Sequence, residues 1–120
     1  MKRKSSNSEP NSTKLLRKSK TLKESTFQKK VLTKIREIPN CWVTTKEAGS
    51  IKGLPDLMGC CNGTFFAFEL KRDRIEAQKQ SGRIVLQRHV LQQIEKAGGI
   101  GMIVHPDNLE LALEKLQSLQ

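Results

Sequence analysis

The dipeptide Asn62-Gly63 constrains the fold of this chain more than any other feature of the sequence. Asn-Gly is the strongest short-range signal for a two-residue turn between antiparallel strands. The residues on either side of it, 56–60 and 64–71, form runs that are apolar enough to be the two strands. The sequence therefore predicts a β-hairpin that reverses at this dipeptide.

Charged residues mark the open end of the predicted hairpin. Asp56 begins the first strand, and Glu69 and Lys71 lie at the end of the second. Side chains alternate between the faces of a strand, so Glu69 and Lys71 project from the same face, and the turn brings Asp56 beside them. Two carboxylates and one ammonium on a rigid hairpin are the groups that a metal-dependent phosphodiesterase requires. A surface salt-bridge cluster is the alternative, but the phenylalanines of the second strand indicate an interior strand.

Hydrophobic periodicity predicts the remaining elements. These are a helix over 21–38, strands over 41–46, 56–60, 64–71 and 100–105, a helix over 83–97 and a C-terminal helix from Pro106. Residues 72–82 are polar and predict a mobile connection beside the hairpin. A helix between the third and fourth strands favours a right-handed crossover and hence a partly parallel sheet. The predicted fold class is α/β, with the order αβββαβα and a mixed central sheet flanked by helices.

Two polar residues fall on helical faces that should be buried. Glu24 closes the capping box Thr21-Leu22-Lys23-Glu24 and also lies on the apolar stripe of Phe27 and Val31. It therefore caps its helix, reaches a site beside the sheet, or does both. Gln87 falls inside the apolar face of the second helix, where an amide needs a hydrogen-bond partner. That partner is either a water or phosphate in the site or a nearby backbone group.

The basic residues are concentrated near the N-terminus. The formal net charge is +10; residues 1–30 carry ten lysines and arginines against two acids, and residues 31–120 carry twelve against ten. Residues 1–20 have few large apolar side chains, so we expect a disordered basic tail followed by one folded domain over 21–120. Such a tail favours nucleic acid as a partner, although it can also serve solubility alone.

The three cysteines predict a reduced protein in the cytoplasm. Cys60 and Cys61 are adjacent, so a bond between them along a strand would be strained. We therefore expect buried structural thiols at these two positions and at Cys41. No apolar run approaches the roughly 20 residues of a membrane span. The charged N-terminus is also not followed by the apolar stretch of a secretory signal, so no membrane partner is expected.

The spacing of Gly53, Pro55-Asp56 and Glu69-Leu70-Lys71 resembles that of the PD-(D/E)XK nuclease superfamily. Its finer pattern is similar to the VRR-NUC (virus-type replication-repair nuclease) domain, which has an aromatic run before the Glu-x-Lys segment. The likeness covers roughly residues 24–104. Further matches in the same order are Glu24, Gln87 and Gly98-Gly99.

The resemblance implies a metal-dependent endonuclease and, in small standalone members, cleavage of branched DNA such as Holliday junctions. It implies that Asp56 and Glu69 bind Mg²⁺ or Mn²⁺ and that the backbone carbonyl of Leu70 is a third ligand. It implies that Lys71 orients or activates the attacking water. Accessory polar positions of the family are matched by Glu24, which can ligate a second ion, and Gln87.

Basic residues around the hairpin are the candidates for DNA binding. They are Lys46, Lys52, Arg72, Arg74, Lys79 and Arg83. A symmetric cut through a four-way junction requires two sites related by a two-fold axis, so we expect a homodimer. Little in the chain identifies the DNA structure that is bound. A nicking or flap nuclease of the same fold and a non-catalytic nucleic-acid-binding module are therefore alternatives.

Overall fold

The computed structural model describes residues 25–47 and 50–120. Within these ranges the chain forms a mixed four-stranded sheet flanked by helices. The elements are helix α1 over 25–36, strands β1 (Cys41–Thr45), β2 (Leu57–Cys61) and β3 (Thr64–Leu70), helices α2 (Arg74–Ala77) and α3 (Gly82–Lys96), strand β4 (Ile100–Val104) and helix α4 (Leu109–Gln117). The predicted α/β class is confirmed. The predicted tail 1–20 and the predicted helix start with Glu24 lie outside the described residues.

The strands lie in the order β1-β2-β3-β4. The first two pairs are antiparallel, and β3 pairs with β4 in parallel. Helix α3 connects the two parallel strands, so the partly parallel sheet predicted from the element order is confirmed. Strand β3 is an interior strand, and Phe66, Ala67 and Phe68 within it are fully buried.

The turn between β2 and β3 has the predicted two-residue form. Both residues of Asn62-Gly63 have positive φ angles, 49° and 90°, which a type I′ turn requires. The antiparallel register pairs Leu57 with Phe68. Continued by one residue toward the open end of the hairpin, this register places Asp56 opposite Glu69.

The two faces of the sheet are covered by different helices. Helices α1 and α4 pack on the face from which Phe66 and Phe68 project, and together they form the main hydrophobic core. Helix α3 lies against β3 and β4 on the other face, which also carries Glu69. The residues that α3 buries are Ile84, Gln87 and Leu91. No helix in the described ranges is long and apolar enough to cross a membrane.

Cys41 and Cys61 form a disulfide, so the prediction of three reduced, buried thiols is wrong. The two residues lie directly opposite each other on β1 and β2, with Cα atoms 4.0 Å apart. Adjacency disfavours a bond only between neighbouring cysteines, whereas the sheet pairs two that are 20 residues apart. The remaining thiol, Cys60, is exposed. The cysteines therefore no longer support the predicted cytoplasmic location.

The polar connection 72–82 contains a short helix rather than only irregular chain. Asp73 caps α2, because its carboxylate accepts a hydrogen bond from the N–H of Glu76 at 2.8 Å. The guanidinium of Arg88 donates to the carbonyls of Ala77 and Lys79 at 2.8 and 3.0 Å, which fastens the connection to α3. This helix is held by polar contacts and buries none of its residues. Its sequence therefore has no apolar periodicity from which a helix could be predicted.

Candidate active site

Three charged side chains lie in one row across the open end of the sheet. The strand pairings, continued one residue beyond β1 and β2, align Lys46, Asp56 and Glu69. The N–H of Lys46 donates to the carbonyl of Asp56 at 3.1 Å, so the pairing does extend to this row. Lys71 lies two residues after Glu69 and faces the same side. The structure thus brings together Asp56, Glu69 and Lys71, and it adds Lys46 to them.

Asp56 is held through both of its carboxylate oxygens. The N–H of Leu70 donates to Oδ2 at 2.8 Å. The ammonium Nζ of Lys46 lies 3.4 Å from Oδ1 and also donates to the carbonyl of Leu54 at 3.3 Å. Hydrogen bonds to an ionised carboxylate are stronger than those between neutral groups, so these contacts fix the orientation of Asp56 at the edge of the sheet.

Glu69 is the most deeply buried ionisable group of the row, with 3% of the residue exposed. The amide Nε2 of Gln87, which is equally buried, donates to Glu69 Oε2 at 2.9 Å. Lys71 Nζ lies 3.6 Å from the same oxygen, and its side chain is 10% exposed. The partner of Gln87 is therefore the carboxylate of Glu69, and not the water, phosphate or backbone group expected from the sequence.

The surroundings of Glu69 favour its neutral form. Burial is the largest cause, and the charge of the neighbouring Asp56 carboxylate and a hydrogen bond with it add to the effect. Together they raise the pKa of Glu69 from 4.5 to about 7, although Lys71 and Lys46 act in the opposite direction. A carboxylate that has left water and faces a second carboxylate is costly to ionise. Positive charge placed between the two groups relieves that cost.

Unpaired polar atoms are concentrated at this site. In the described part of the chain, three buried side-chain polar atoms lack a hydrogen-bond partner, and two of them are Glu69 Oε1 and Gln87 Oε1. The third is His105 Nδ1. Buried polar atoms are nearly always paired, and an unpaired one costs about 1–3 kcal/mol. Two acceptor oxygens without a donor are therefore available to a cation, to water or to a donor group of a ligand.

Two clefts open beside the row. The first has a volume of about 330 Å³ and lies between the edge of the sheet, α1 and α2; Asp56, Leu70 and Lys71 line it. The second has a volume of about 630 Å³ and lies between the segment before β2 and the start of α3. Its basic lining residues are Lys46, Lys52 and Arg83. Two of the metal-ligand candidates, Asp56 and Leu70, thus line the first cleft, and the second cleft is lined by three basic residues.

The six basic residues predicted to bind DNA do not form one patch. Arg74 and Lys79 are exposed on and just after α2. Arg72 lines the first cleft, where its guanidinium is paired with Asp73 and Glu76. The second cleft holds the other three basic residues. Arg72 is already paired with acidic side chains, whereas Lys52 and Arg83 form no salt bridge with another described residue, so the second cleft is the stronger candidate for phosphate contacts.

The contact of Lys46 with Asp56 was not predicted, although one signal in the sequence indicates it. Cys41 lies five residues before Lys46, and Cys61 lies five residues after Asp56. A disulfide between opposed cysteines of antiparallel strands fixes the register of the pair. The Cys41–Cys61 pairing therefore implies that Lys46 opposes Asp56. Glu24, the other acid assigned to the site, lies outside the described residues.

The oxygen atoms at the sheet edge fit a hard divalent cation. Mg²⁺ and Mn²⁺ prefer carboxylate and carbonyl oxygens, and Mg²⁺ retains several waters. Asp56, Glu69 and the carbonyl of Leu70 supply such oxygens, and the unpaired Oε1 of Glu69 is free to bind. Residues 25–47 and 50–120 contain no group of three or more His, Cys, Asp or Glu side chains suited to a metal. A cation here would therefore rely on two carboxylates, a backbone carbonyl and water.

Comparison of the chain with protein-family models, with curated proteins and with solved structures finds no match. The coarse architecture does not identify a function, because many unrelated activities share α/β folds. A function must therefore be argued from the residues at the edge of the sheet.

Proposed function

We propose that this protein is an endonuclease that depends on Mg²⁺ or Mn²⁺ and hydrolyses phosphodiester bonds of DNA. The proposal places it in the PD-(D/E)XK superfamily, with the pattern of a VRR-NUC domain, and takes branched DNA such as Holliday junctions as its substrate. An intracellular, DNA-associated location is part of the proposal. The observation that carries it is the meeting of Asp56, Glu69 and Lys71 at a sheet edge that opens into a cleft.

The roles proposed for these residues follow from their contacts. Asp56, Glu69 and the Leu70 carbonyl would hold the cation, which when bound supplies positive charge to the phosphate and lowers the pKa of a water. The N–H of Leu70 orients Asp56, and Gln87 orients Glu69. Lys71 is largely buried beside Glu69, so its ammonium is held where it can orient the attacking water or stabilise developing negative charge.

Branched DNA and a homodimer belong to the same proposal. The basic side chains that line the second cleft would contact phosphates of the bound DNA. One domain with one site makes one nick, and two symmetric nicks in a junction require a two-fold pair of sites. Sedimentation with and without a four-way junction tests this step, and a monomer under both conditions contradicts it.

One observation favours a second function, a non-catalytic nucleic-acid-binding module. Both oxygens of Asp56 already have donors, Leu70 N–H and the ammonium of Lys46, so this carboxylate is satisfied without a metal. A protein that has this arrangement of charged side chains but does not cleave DNA would bind DNA equally well with and without a divalent ion.

Cleavage assays on a panel of DNA substrates distinguish these functions. Linear, flap, replication-fork and four-way-junction DNA are incubated with the protein in Mg²⁺, Mn²⁺ or EDTA. We expect cleavage with either metal, none in EDTA, and a preference for four-way junctions. A preference for flaps or single nicks assigns the same chemistry to a different substrate. DNA binding without cleavage under any condition supports the non-catalytic module.

Substitutions at the sheet edge test the residue roles. We expect Asp56→Asn and Lys71→Ala each to lower the cleavage rate at least about a hundredfold while DNA binding persists. Asp73→Asn is the matched control, because Asp73 lies outside the row and asparagine can replace it as the cap of α2. Cleavage at the wild-type rate by the Asp56 or Lys71 variant would contradict the proposal.

A further inference from the structure

Lys46 occupies the side of Asp56 that faces the second cleft. Its ammonium lies 3.4 Å from Asp56 Oδ1 and donates to the carbonyl of Leu54. The backbone N–H of Lys46 donates to the carbonyl of Asp56 in the strand pairing, so the Lys46 side chain begins beside the Asp56 carboxylate. Lys46 is therefore the residue that neutralises Asp56 when no metal is bound.

The Lys46–Asp56 pair is more exposed to solvent than the Lys71–Glu69 pair. The side chain of Lys46 is 31% exposed, compared with 10% for Lys71. Partly exposed ion pairs are weak, and the long lysine side chain loses rotamer freedom by staying in one. The ammonium can therefore leave Asp56 for the adjacent cleft without exposing a buried group.

The two oxygens of Asp56 are not equivalent. Oδ2 accepts a hydrogen bond from the N–H of Leu70 at 2.8 Å, whereas Oδ1 lies 3.4 Å from the ammonium of the partly exposed Lys46. An ammonium and a divalent cation repel each other strongly at contact distance. A cation that binds Asp56 must therefore compete with Lys46 for Oδ1.

We propose that Lys46 and the divalent cation exchange places on Asp56. Without metal, Lys46 is the counter-ion of the carboxylate; with metal, its ammonium is released into the second cleft, where Lys52 and Arg83 also lie, and contacts a DNA phosphate. Lys46 is thus a positioning residue that couples metal binding to DNA binding. This inference rests on the proposed metal-dependent function. It explains why a carboxylate assigned to a metal is fully paired without one.

Metal affinity provides the first test. Mn²⁺ is titrated into chelator-treated wild type, Lys46→Met and Lys46→Gln, with Lys34→Met as the control, because Lys34 is exposed on α1 and lines neither cleft. Because an exposed ion pair contributes little, we expect the Mn²⁺ Kd to fall by about two- to fivefold in both Lys46 variants and to stay unchanged in the control. Circular dichroism checks that each variant is folded. Wild-type Mn²⁺ affinity in both Lys46 variants overturns the exchange, whereas no Mn²⁺ binding to wild type overturns the proposed function as well.

The salt dependence of DNA binding provides the second test. Affinity for a four-way junction is measured with Lys71→Ala, so that the DNA stays intact, and with the same protein carrying Lys46→Met, in EDTA and in Mn²⁺. Each phosphate contact contributes a log–log salt slope of about −0.9. We expect Lys46→Met to flatten the slope by about that amount in Mn²⁺ and to leave it unchanged in EDTA. An equal change in both media shows a permanent phosphate contact, and no change in either shows no contact; both results overturn the inference.

Discussion

Replacing Glu69 by glutamine isolates the free-energy cost of the buried carboxylate. Glutamine matches the shape of the protonated side chain and retains an oxygen that can accept from Gln87, so the variant imitates neutral Glu69 at every pH. In the metal-free protein, burial and the neighbouring Asp56 raise the pKa of Glu69 from 4.5 to about 7. A raised pKa means that the folded state binds the proton more tightly than the unfolded state does. The stability that Glu69 contributes is therefore complete below about pH 4.5 and is lost as the pH rises through 7.

The size of this effect follows from the two pKa values. A change of one in pKa corresponds to about 1.4 kcal/mol, so the rise from 4.5 to about 7 corresponds to roughly 3 kcal/mol. Solvent screening reduces the figure little, because Glu69 is almost completely buried. We expect Glu69→Gln to raise the free energy of unfolding relative to wild type, and this increase should be about 3 kcal/mol larger at pH 8 than at pH 4.

Urea unfolding in EDTA, followed by far-ultraviolet circular dichroism from pH 4 to pH 8, measures this difference. Glu110→Gln is the matched control, because Glu110 is exposed on α4, away from the row. The difference between Glu69→Gln and wild type should grow through the interval from 4.5 to 7. A difference that stays constant across the pH range would refute the conclusion that ionising Glu69 lowers the free energy of unfolding.

Two further predictions concern the framework that holds the site. Reduction of the Cys41–Cys61 disulfide should lower the free energy of unfolding by about 3 kcal/mol, because it frees a loop of 20 residues. Urea melts with and without reductant test this. A variant with both cysteines replaced by serine should not respond to the reductant. Gly59→Ala should cost more than roughly 2 kcal/mol, because the added Cβ collides with a backbone oxygen of β1 and an aromatic ring of β3. Gly63→Ala should cost only about 1 kcal/mol, since no atom lies within 4 Å of the added Cβ and only the positive φ of Gly63 opposes alanine. Similar losses of stability for the Gly59 and Gly63 variants in urea melts would contradict this account.

The parts of the fold that depend on local chemistry could be predicted from the sequence. The Asn62-Gly63 turn needs only two residues that tolerate positive φ, and strand alternation then places Glu69 and Lys71 on one face. The turn also brings Asp56 to Glu69, because the register of a hairpin is set by its loop length. The three residues that carry the proposed chemistry were therefore accessible from short-range rules.

The features that were missed depend on contacts between distant parts of the chain. Residues 46–56 separate β1 from β2, and a connection of this length does not set the strand register. Neither the Cys41–Cys61 bond nor the approach of Lys46 to Asp56 therefore follows from short-range rules. Helical periodicity placed Gln87 on a buried face but did not show which strand that face covers. The depth at which Glu69 is buried, and hence its raised pKa, depends on that packing.

The binding of Mn²⁺ to the chelator-treated protein, measured by isothermal titration calorimetry at neutral pH, tests the central claim that Asp56 and Glu69 hold a divalent cation. We expect saturable binding to the wild type and to the control Asp73→Asn, and loss of that binding in Asp56→Asn. Failure of the wild type to bind Mn²⁺, or equal binding by Asp56→Asn, would contradict the account.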